Sequence, residues 1–295
     1  MSFKRNFNSI KALKDESLYK DCISQDIKSG VVFPAVRNNR MDFYYMGGKL
    51  FSFDSKNLFS THLKYASVAM GKNVGPYVTK DDLEQISIPN FVDGYKRIKE
   101  NCAKYSGREA SGVSQVYGKY SCAKEHIDNV VVLDIEVSLS REDDKYAIEL
   151  KNDSRAGSDR MDLLLFDTVN KELRFFEAKH YSNNDIRGQK PKIVDQMGRY
   201  SKQLKSSQVC DEIVSAYRVH RTAINELLDQ EKLPEPIKID PHPCLLIFGF
   251  DREQREGKLK NEIKRLVEEF GMSVYAKGNI KNIDANTLFS AAKQD

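Results

Sequence analysis

Two strand-length apolar runs, MDLLLFD at 161–167 and ELRFFEAKHY at 172–181, are separated only by Thr168–Lys171. A link that short permits little except a turn, so the runs are expected to pair as an antiparallel hairpin. Other elements fall on both sides of it. NVVVLDIEVSL (129–139) and KYAIELK (145–151) read as strands. A helix from Pro191 to Leu204 and another over 209–230 follow the hairpin. Pro191 suits a first helical turn because it has no N–H to leave unpaired. CLLIFGF (244–250) reads as a buried strand, 254–270 as an amphipathic helix and MSVYAKG (272–278) as a last strand. Strands and helices interleaved in this order predict a mixed α/β domain around one central sheet.

The N-terminal part has a different character. Residues 8–28 alternate as a helix does, and three strand-like runs follow at 31–37, 40–46 and 49–54. Asn38-Asn39 and Gly47-Gly48 separate them, and both pairs tolerate the positive φ of tight hairpin turns. The expectation is a small antiparallel meander in an accessory module over 1–90, followed by the main domain over 91–295. Residues 91–126 read mainly as helix with a break at Ser106-Gly107. The meander carries Arg37, Arg40 and Lys49 among Tyr44, Tyr45 and Phe51. Basic residues among aromatics can stack bases, but aromatic stripes on strands are more often core, and no site is assigned there.

Composition narrows the function classes. With 295 residues, 40% of them hydrophobic and 31% charged, the chain can bury a core and is not a disordered one. The net charge of +4 is too mild to imply nucleic acid by itself. Five scattered cysteines with no Cys-x-x-Cys pair support neither a disulfide framework nor a zinc site. Reduced thiols in a cytoplasmic protein are expected. The basic start lacks an apolar stretch, so no secretory leader is expected, and no run approaches the length of a membrane span. Neither a Ser/His/Asp arrangement nor a GxxxxGK[ST] loop is legible, so no motor activity is expected.

Chemistry concentrates on the hairpin. Glu177 and Lys179 are two apart on one strand and therefore face the same way. The short turn brings Asp162, at the start of the partner strand, close to them. Two carboxylates at one point suit a hard divalent cation such as magnesium, which takes oxygen ligands and keeps several waters. A metal there can polarise a phosphodiester and activate water, and a lysine beside it can offset developing charge. Acid-x-Lys pairs also occur at Asp26-Ile-Lys28, Glu149-Leu-Lys151 and Glu262-Ile-Lys264, where solvated faces are the plainer explanation. The best rival set is Asp134 or Glu136 with Glu149 and Lys151, but no comparable helix follows it directly. Exposed hairpin charges are the competing reading for Glu177 itself.

On the helix after the hairpin, Gln196 and Tyr200 are four apart and share a face. Gln196 can hydrogen-bond a metal-bound water or a phosphate with Tyr200 in support. Alternatively, Tyr200 packs with Ile193, Met197 and Leu204. Arg187, Lys190, Lys192, Arg199, Lys202 and Lys205 make a basic stretch suited to phosphates, or else a solvated face. His180 points away from Lys179 and is expected to be structural.

SDRMDLLLFD, a turn and LRFFEAKHY together resemble the core motif of the PD-(D/E)xK nuclease superfamily. The matching residues are Asp162, Glu177 and Lys179; Met161 stands where the motif name has proline. Gln196 and Tyr200 match the Gln-x-x-x-Tyr element of the exonuclease-like branch. The resemblance covers about 90–295. It implies a restriction endonuclease-like fold, with a mixed central sheet flanked by helices. It also implies Mg2+- or Mn2+-dependent hydrolysis of DNA, with RNA as the alternative substrate. Asp162 and Glu177 would hold the metal. Glu109 and Glu125 are the candidates for a further acid, which the family often takes from the helix before the first core strand; an ordinary surface residue is the plainer reading of each. Arg187, Lys190, Lys192, Arg199, Tyr200 and Lys202 would contact nucleic acid. Restriction or phage defence is the context the resemblance implies, with a homodimer or a defence-system protein as partner. A nucleic-acid-binding or protein-interaction module that kept the fold and lost catalysis is the alternative.

Overall fold

The structure, a computed structural model, describes residues 3–66, 76–80, 82, 90–139 and 160–291. The strand expected at 145–151 lies outside these residues, as do Glu149 and Lys151 of the rival set. The chain forms two compact units. The meander unit comprises Lys4–Ile127 and Val219–Leu233; the hairpin unit comprises Met1–Phe3, Asp128–Arg218 and Pro234–Asp295.

In the meander unit, α1 (Ile10–Asp15) and α2 (Ser24–Lys28) precede five strands. These are β1 (Phe33–Arg37), β2 (Arg40–Tyr45), β3 (Gly48–Asp54), β4 (Leu58–His62) and β5 (Tyr77–Thr79), antiparallel in sequence order. The second turn sits one residue earlier than expected. Tyr45 pairs with Gly48, and Met46 (φ 51°) and Gly47 (φ 78°) both take left-handed backbone. A two-residue hairpin turn of this hand needs positive φ at both centres. A short helix, α3 (Leu63–Ala66), lies between β4 and β5, and α4 (Phe91–Lys104) and α5 (Arg108–Tyr120) follow the strands.

The boundary expected at residue 90 falls at Ile127/Asp128, because α4 and α5 pack on the meander. Phe51 of β3 lies 5.3 Å from Phe91 and 6.1 Å from Tyr95 of α4. The Gly47 N–H donates to the Tyr117 hydroxyl of α5 at 2.8 Å. A Cβ on Gly47 would meet that of Ala110 at 2.4 Å. Tyr44 and Phe51 are core residues, buried to 7% and 0% exposure, so neither ring is open to a base. Arg40 is engaged by Asp42, which it meets at 2.8 Å.

The hairpin unit is built on β6 (Val130–Val137), β7 (Met161–Asp167), β8 (Glu172–His180), β9 (Lys238–Ile239), β10 (Cys244–Phe248) and β11 (Ser273–Lys277). Its order is β11-β10-β8-β7-β6, with β9 beside β8. β6, β7 and β8 are antiparallel, whereas β10 runs parallel to β8 and β11. A parallel return needs a long crossover, and α6 (Lys192–Leu204) and α7 (Ser207–Leu227) lie within it. The division between units falls inside α7, after Arg218. Asp167 organises the β7–β8 turn by accepting the N–H groups of Val169 and Asn170 at 3.0 and 2.9 Å. β10, flanked on both sides, is buried along its whole length, as a continuous apolar run in a parallel sheet should be.

The helix expected over 254–270 is interrupted. α8 (Arg252–Gln254) and α9 (Lys260–Glu268) are separated by a wide turn in which Gly257 has a non-helical ψ of −129°. Finally, α10 (Ala285–Ala291) covers one sheet face. Arg174, fully buried on β8, donates there to the Phe289 carbonyl at 2.7 Å and pairs with Asp240. All five cysteines are free thiols. Among the described residues, no helix is long and apolar enough to cross a membrane.

The far end of β8 is fixed by a close approach. Gly249, just after β10, has φ 82°, and a Cβ there would lie 2.3 Å from the His180 ring. Left-handed backbone is strained for alanine. Gly249→Ala is therefore expected to destabilise the protein by about 2 kcal/mol. Denaturant melts check this; an unchanged midpoint would mean that His180 does not constrain the strand.

Candidate active site

Glu177 and Lys179 emerge on the same face of β8, as strand alternation requires, and both are nearly buried, at 1% and 8% exposure. The Lys179 ammonium lies 2.6 Å from Glu177 Oε1. On one side of them runs β10, with Leu245 opposite Glu177 and Ile247 opposite Lys179. On the other side, the β7–β8 ladder ends at Leu163↔Phe176, one residue short of Asp162. Asp162 takes over where the backbone pairing stops, and its carboxylate accepts the Ala178 N–H at 2.8 Å. The hairpin thus holds Asp162 beside Glu177 through a backbone bond.

The helix α6 completes the group. Ile193, Met197, Tyr200 and Leu204 form its buried stripe, which fixes its rotation. Gln196 Nε2 then donates to Glu177 Oε1 and to the Tyr200 hydroxyl, each at 2.9 Å. Glu177 Oε1 is held from two directions, by an ammonium and by an amide.

The electrostatics of the group are strained. Asp162 keeps some accessible surface, yet its carboxyl end is enclosed. Burial first, and the Glu177 charge second, push its pKa well above the usual carboxylate range. Lys179 and the Ala178 N–H offset this in part, while Glu136 adds to it. Burial of a charge and proximity of a like charge both favour the protonated acid.

Glu136, in sequence terms only part of a rival set, also comes to this site. On β6, Ile135 pairs with Leu163 and Val137 with Met161, which places Glu136 across from Asp162. Its backbone is left-handed, with φ 51°, and its carboxylate lies 3.5 Å from Arg160. No residue-level signal in the sequence announces that conformation. Asp134 is engaged elsewhere, accepting from the Tyr217 hydroxyl and the Ile135 N–H at 2.8 Å each.

Glu109 opens α5 and Glu125 follows it; both belong to the meander unit. Tyr200 is 3% exposed, so a direct contact with nucleic acid is closed to it, and its hydroxyl positions Gln196 instead. Arg187, Lys190, Lys192 and Lys202 are exposed, and Arg199 is half-buried. Arg187 donates to the Tyr181 carbonyl at 2.8 Å, and Lys192 lies 3.6 Å from Asp185.

Among the described residues, no cluster of three or more His, Cys, Asp and Glu side chains is arranged to hold a metal. Asp162 and Glu177 are a two-carboxylate set. That matches magnesium, which binds through one or two carboxylates and fills its remaining positions with water and phosphate oxygens. The mutual repulsion of the two acids, only partly offset by Lys179, is what a divalent cation would relieve. Comparison with family models, with curated proteins and with solved structures returned no match to this chain.

Proposed function

We propose that the hairpin unit is a metal-dependent nuclease of the PD-(D/E)xK type that hydrolyses DNA phosphodiester bonds. The observation that carries this reading is the convergence of Asp162, Glu177, Lys179 and Gln196, which three separate elements bring to one point. Nothing in core packing calls for two acids and a lysine there.

Asp162 and Glu177 would hold Mg2+ or Mn2+. When bound, such an ion supplies Lewis acidity toward a phosphate oxygen and lowers the pKa of water. Lys179, with only donors to offer, cannot ligate a cation. Its ammonium instead orients the attacking water and offsets the charge that grows on phosphorus oxygens in the transition state. Gln196 keeps the Glu177 carboxylate from rotating, and Tyr200 keeps Gln196 in place. Arg199 and Lys202 would meet the phosphate backbone. Replacing both with Ala should weaken binding equally across sequences and flatten its salt dependence, since phosphate contacts carry no sequence information. An unchanged salt slope in a titration would assign that face to solvent.

Thermal denaturation tests the metal directly. In metal-free protein, the raised pKa of Asp162 stabilises the fold below the unfolded value of 3.8. That contribution is lost as pH rises through the folded value. A cation competes with the proton for the carboxylate, so stabilisation by metal should grow with pH. Mg2+ is expected to raise the Tm by about 5 °C near pH 8 and by less near pH 5. Asp162→Asn should abolish the rise at both. A rise of equal size in the variant would place the metal elsewhere.

A further inference from the structure

The meander unit carries a second, independent feature. Six side chains form one continuous row, Lys49, Tyr77, His62, Tyr65, Lys64 and Tyr105. His62 and Tyr77 are paired across β4 and β5, with rings 5.4 Å apart. The His62 ring is 5.8 Å from Tyr65 of α3, and Tyr65 is 5.9 Å from Tyr105, which caps α4. Lys49 places its ammonium 5.1 Å from the Tyr77 ring centre. Lys64 places its own 4.9 Å from Tyr65 and 5.1 Å from Tyr105.

Exposure makes the row unusual. Tyr65, at 5%, is its buried floor. Tyr77 and Tyr105, its two ends, are 45% and 59% exposed. Among the described residues, they are the exposed tyrosines; the other exposed large apolar side chains are valines and an isoleucine. Scattered exposed apolar residues need no explanation. Two exposed rings joined by a continuous aromatic floor and flanked by ammonium groups do.

We infer that this row is a binding surface for single-stranded nucleic acid, with unpaired bases stacked on Tyr77 and Tyr105 and phosphates held by Lys49 and Lys64. Aromatic platforms between basic side chains bind strands in this way, because every base has a π-face. The rings are tilted against one another by 65°, 54° and 58° along the row. Such a broken surface suits splayed bases and not the continuous stack of a duplex. Burial and the nearby Lys64 and Lys49 hold the His62 pKa below its usual value. The ring is therefore neutral at neutral pH, and the positive field comes from the lysines. The inference does not depend on cleavage at Asp162 and Glu177.

The test measures anisotropy of a labelled oligonucleotide of about a dozen nucleotides, a length within the usual range for such platforms, with the full-length protein in EDTA. An abasic strand of equal length and a matched duplex serve as comparisons. The wild-type protein should bind the oligonucleotide about tenfold or more tighter than the abasic strand, the scale of one stacked base. Tyr77→Ala with Tyr105→Ala should bring the two to the same level, whereas Tyr77→Phe with Tyr105→Phe should preserve the difference. Tyr77→Leu with Tyr105→Leu, which keeps apolar bulk without a π-face, should behave as the alanine pair. Equal binding of abasic and normal strands by wild type would overturn the inference, since phosphate contacts elsewhere would explain that result. So would an alanine pair that binds as wild type, or full competition by polyglutamate of matched charge.

Discussion

Glu177→Gln is expected to reduce Mg2+-dependent phosphodiester cleavage by roughly a thousandfold, the upper end of what the loss of a single electrostatic group costs. The substitution keeps the shape of the side chain and an oxygen for the Gln196 and Lys179 donors, which sit 2.9 and 2.6 Å away. It removes the charge that a cation needs. Alanine would be a poorer choice, because it strands a nearly buried ammonium, and breaking a buried ion pair from one side costs about 3–5 kcal/mol. Glu177→Gln should also lower the Asp162 pKa, since the Glu177 charge is the second cause of its elevation. The metal-free variant should accordingly lose less stability than wild type as pH rises. Single-turnover cleavage and pH-dependent melts measure the two effects. Wild-type cleavage by the variant would remove Glu177 from the site.

Lys179→Met is expected to bind nucleic acid and metal nearly as wild type yet to cleave roughly a hundredfold slower. The methionine keeps most of the apolar stem and loses the ammonium. Without it, the two carboxylates are more negative in sum, so affinity for a cation should not fall. An interaction stronger in the transition state than in the ground state lowers turnover more than affinity. Binding isotherms in Ca2+, beside single-turnover rates in Mg2+, separate the two. Equal losses in affinity and rate would make Lys179 a binding residue, and an unchanged rate would leave it structural.

Much of the hairpin unit is legible in the sequence because its signals are local. The β7–β8 pair follows from two apolar runs and a four-residue link. The rotation of α6, and hence the aim of Gln196, follows from the spacing of Ile193, Met197, Tyr200 and Leu204. What was not legible depends on distant partners. α4 and α5 read as helices, but their attachment to the meander rests on Phe51 against Phe91 and on Gly47 beneath Ala110. β4 and β5 are short and partly polar, with alternation too brief to register. The turn at Met46-Gly47 lies one residue before the Gly47-Gly48 pair that the sequence points to, because methionine rarely takes positive φ. Glu136 faces Asp162 through an irregular β6 backbone that side-chain alternation does not anticipate. Tyr200 suits both a supporting and a contacting role in the sequence; in the fold it is buried and its hydroxyl accepts from Gln196.

The proposed role of Asp162, Glu177 and Lys179 is that of a metal-dependent phosphodiesterase centre. The most direct measurement is cleavage of a panel of labelled substrates by wild type and Glu177→Gln. The panel should hold linear and circular DNA, single- and double-stranded, together with RNA, each in Mg2+ and in EDTA. Wild type is expected to cut at least one DNA substrate in Mg2+, EDTA to stop it, and the folded variant not to cut. Cleavage that persists in EDTA or in the variant would contradict that role. So would wild-type protein that binds these substrates in Mg2+ and cuts none of them.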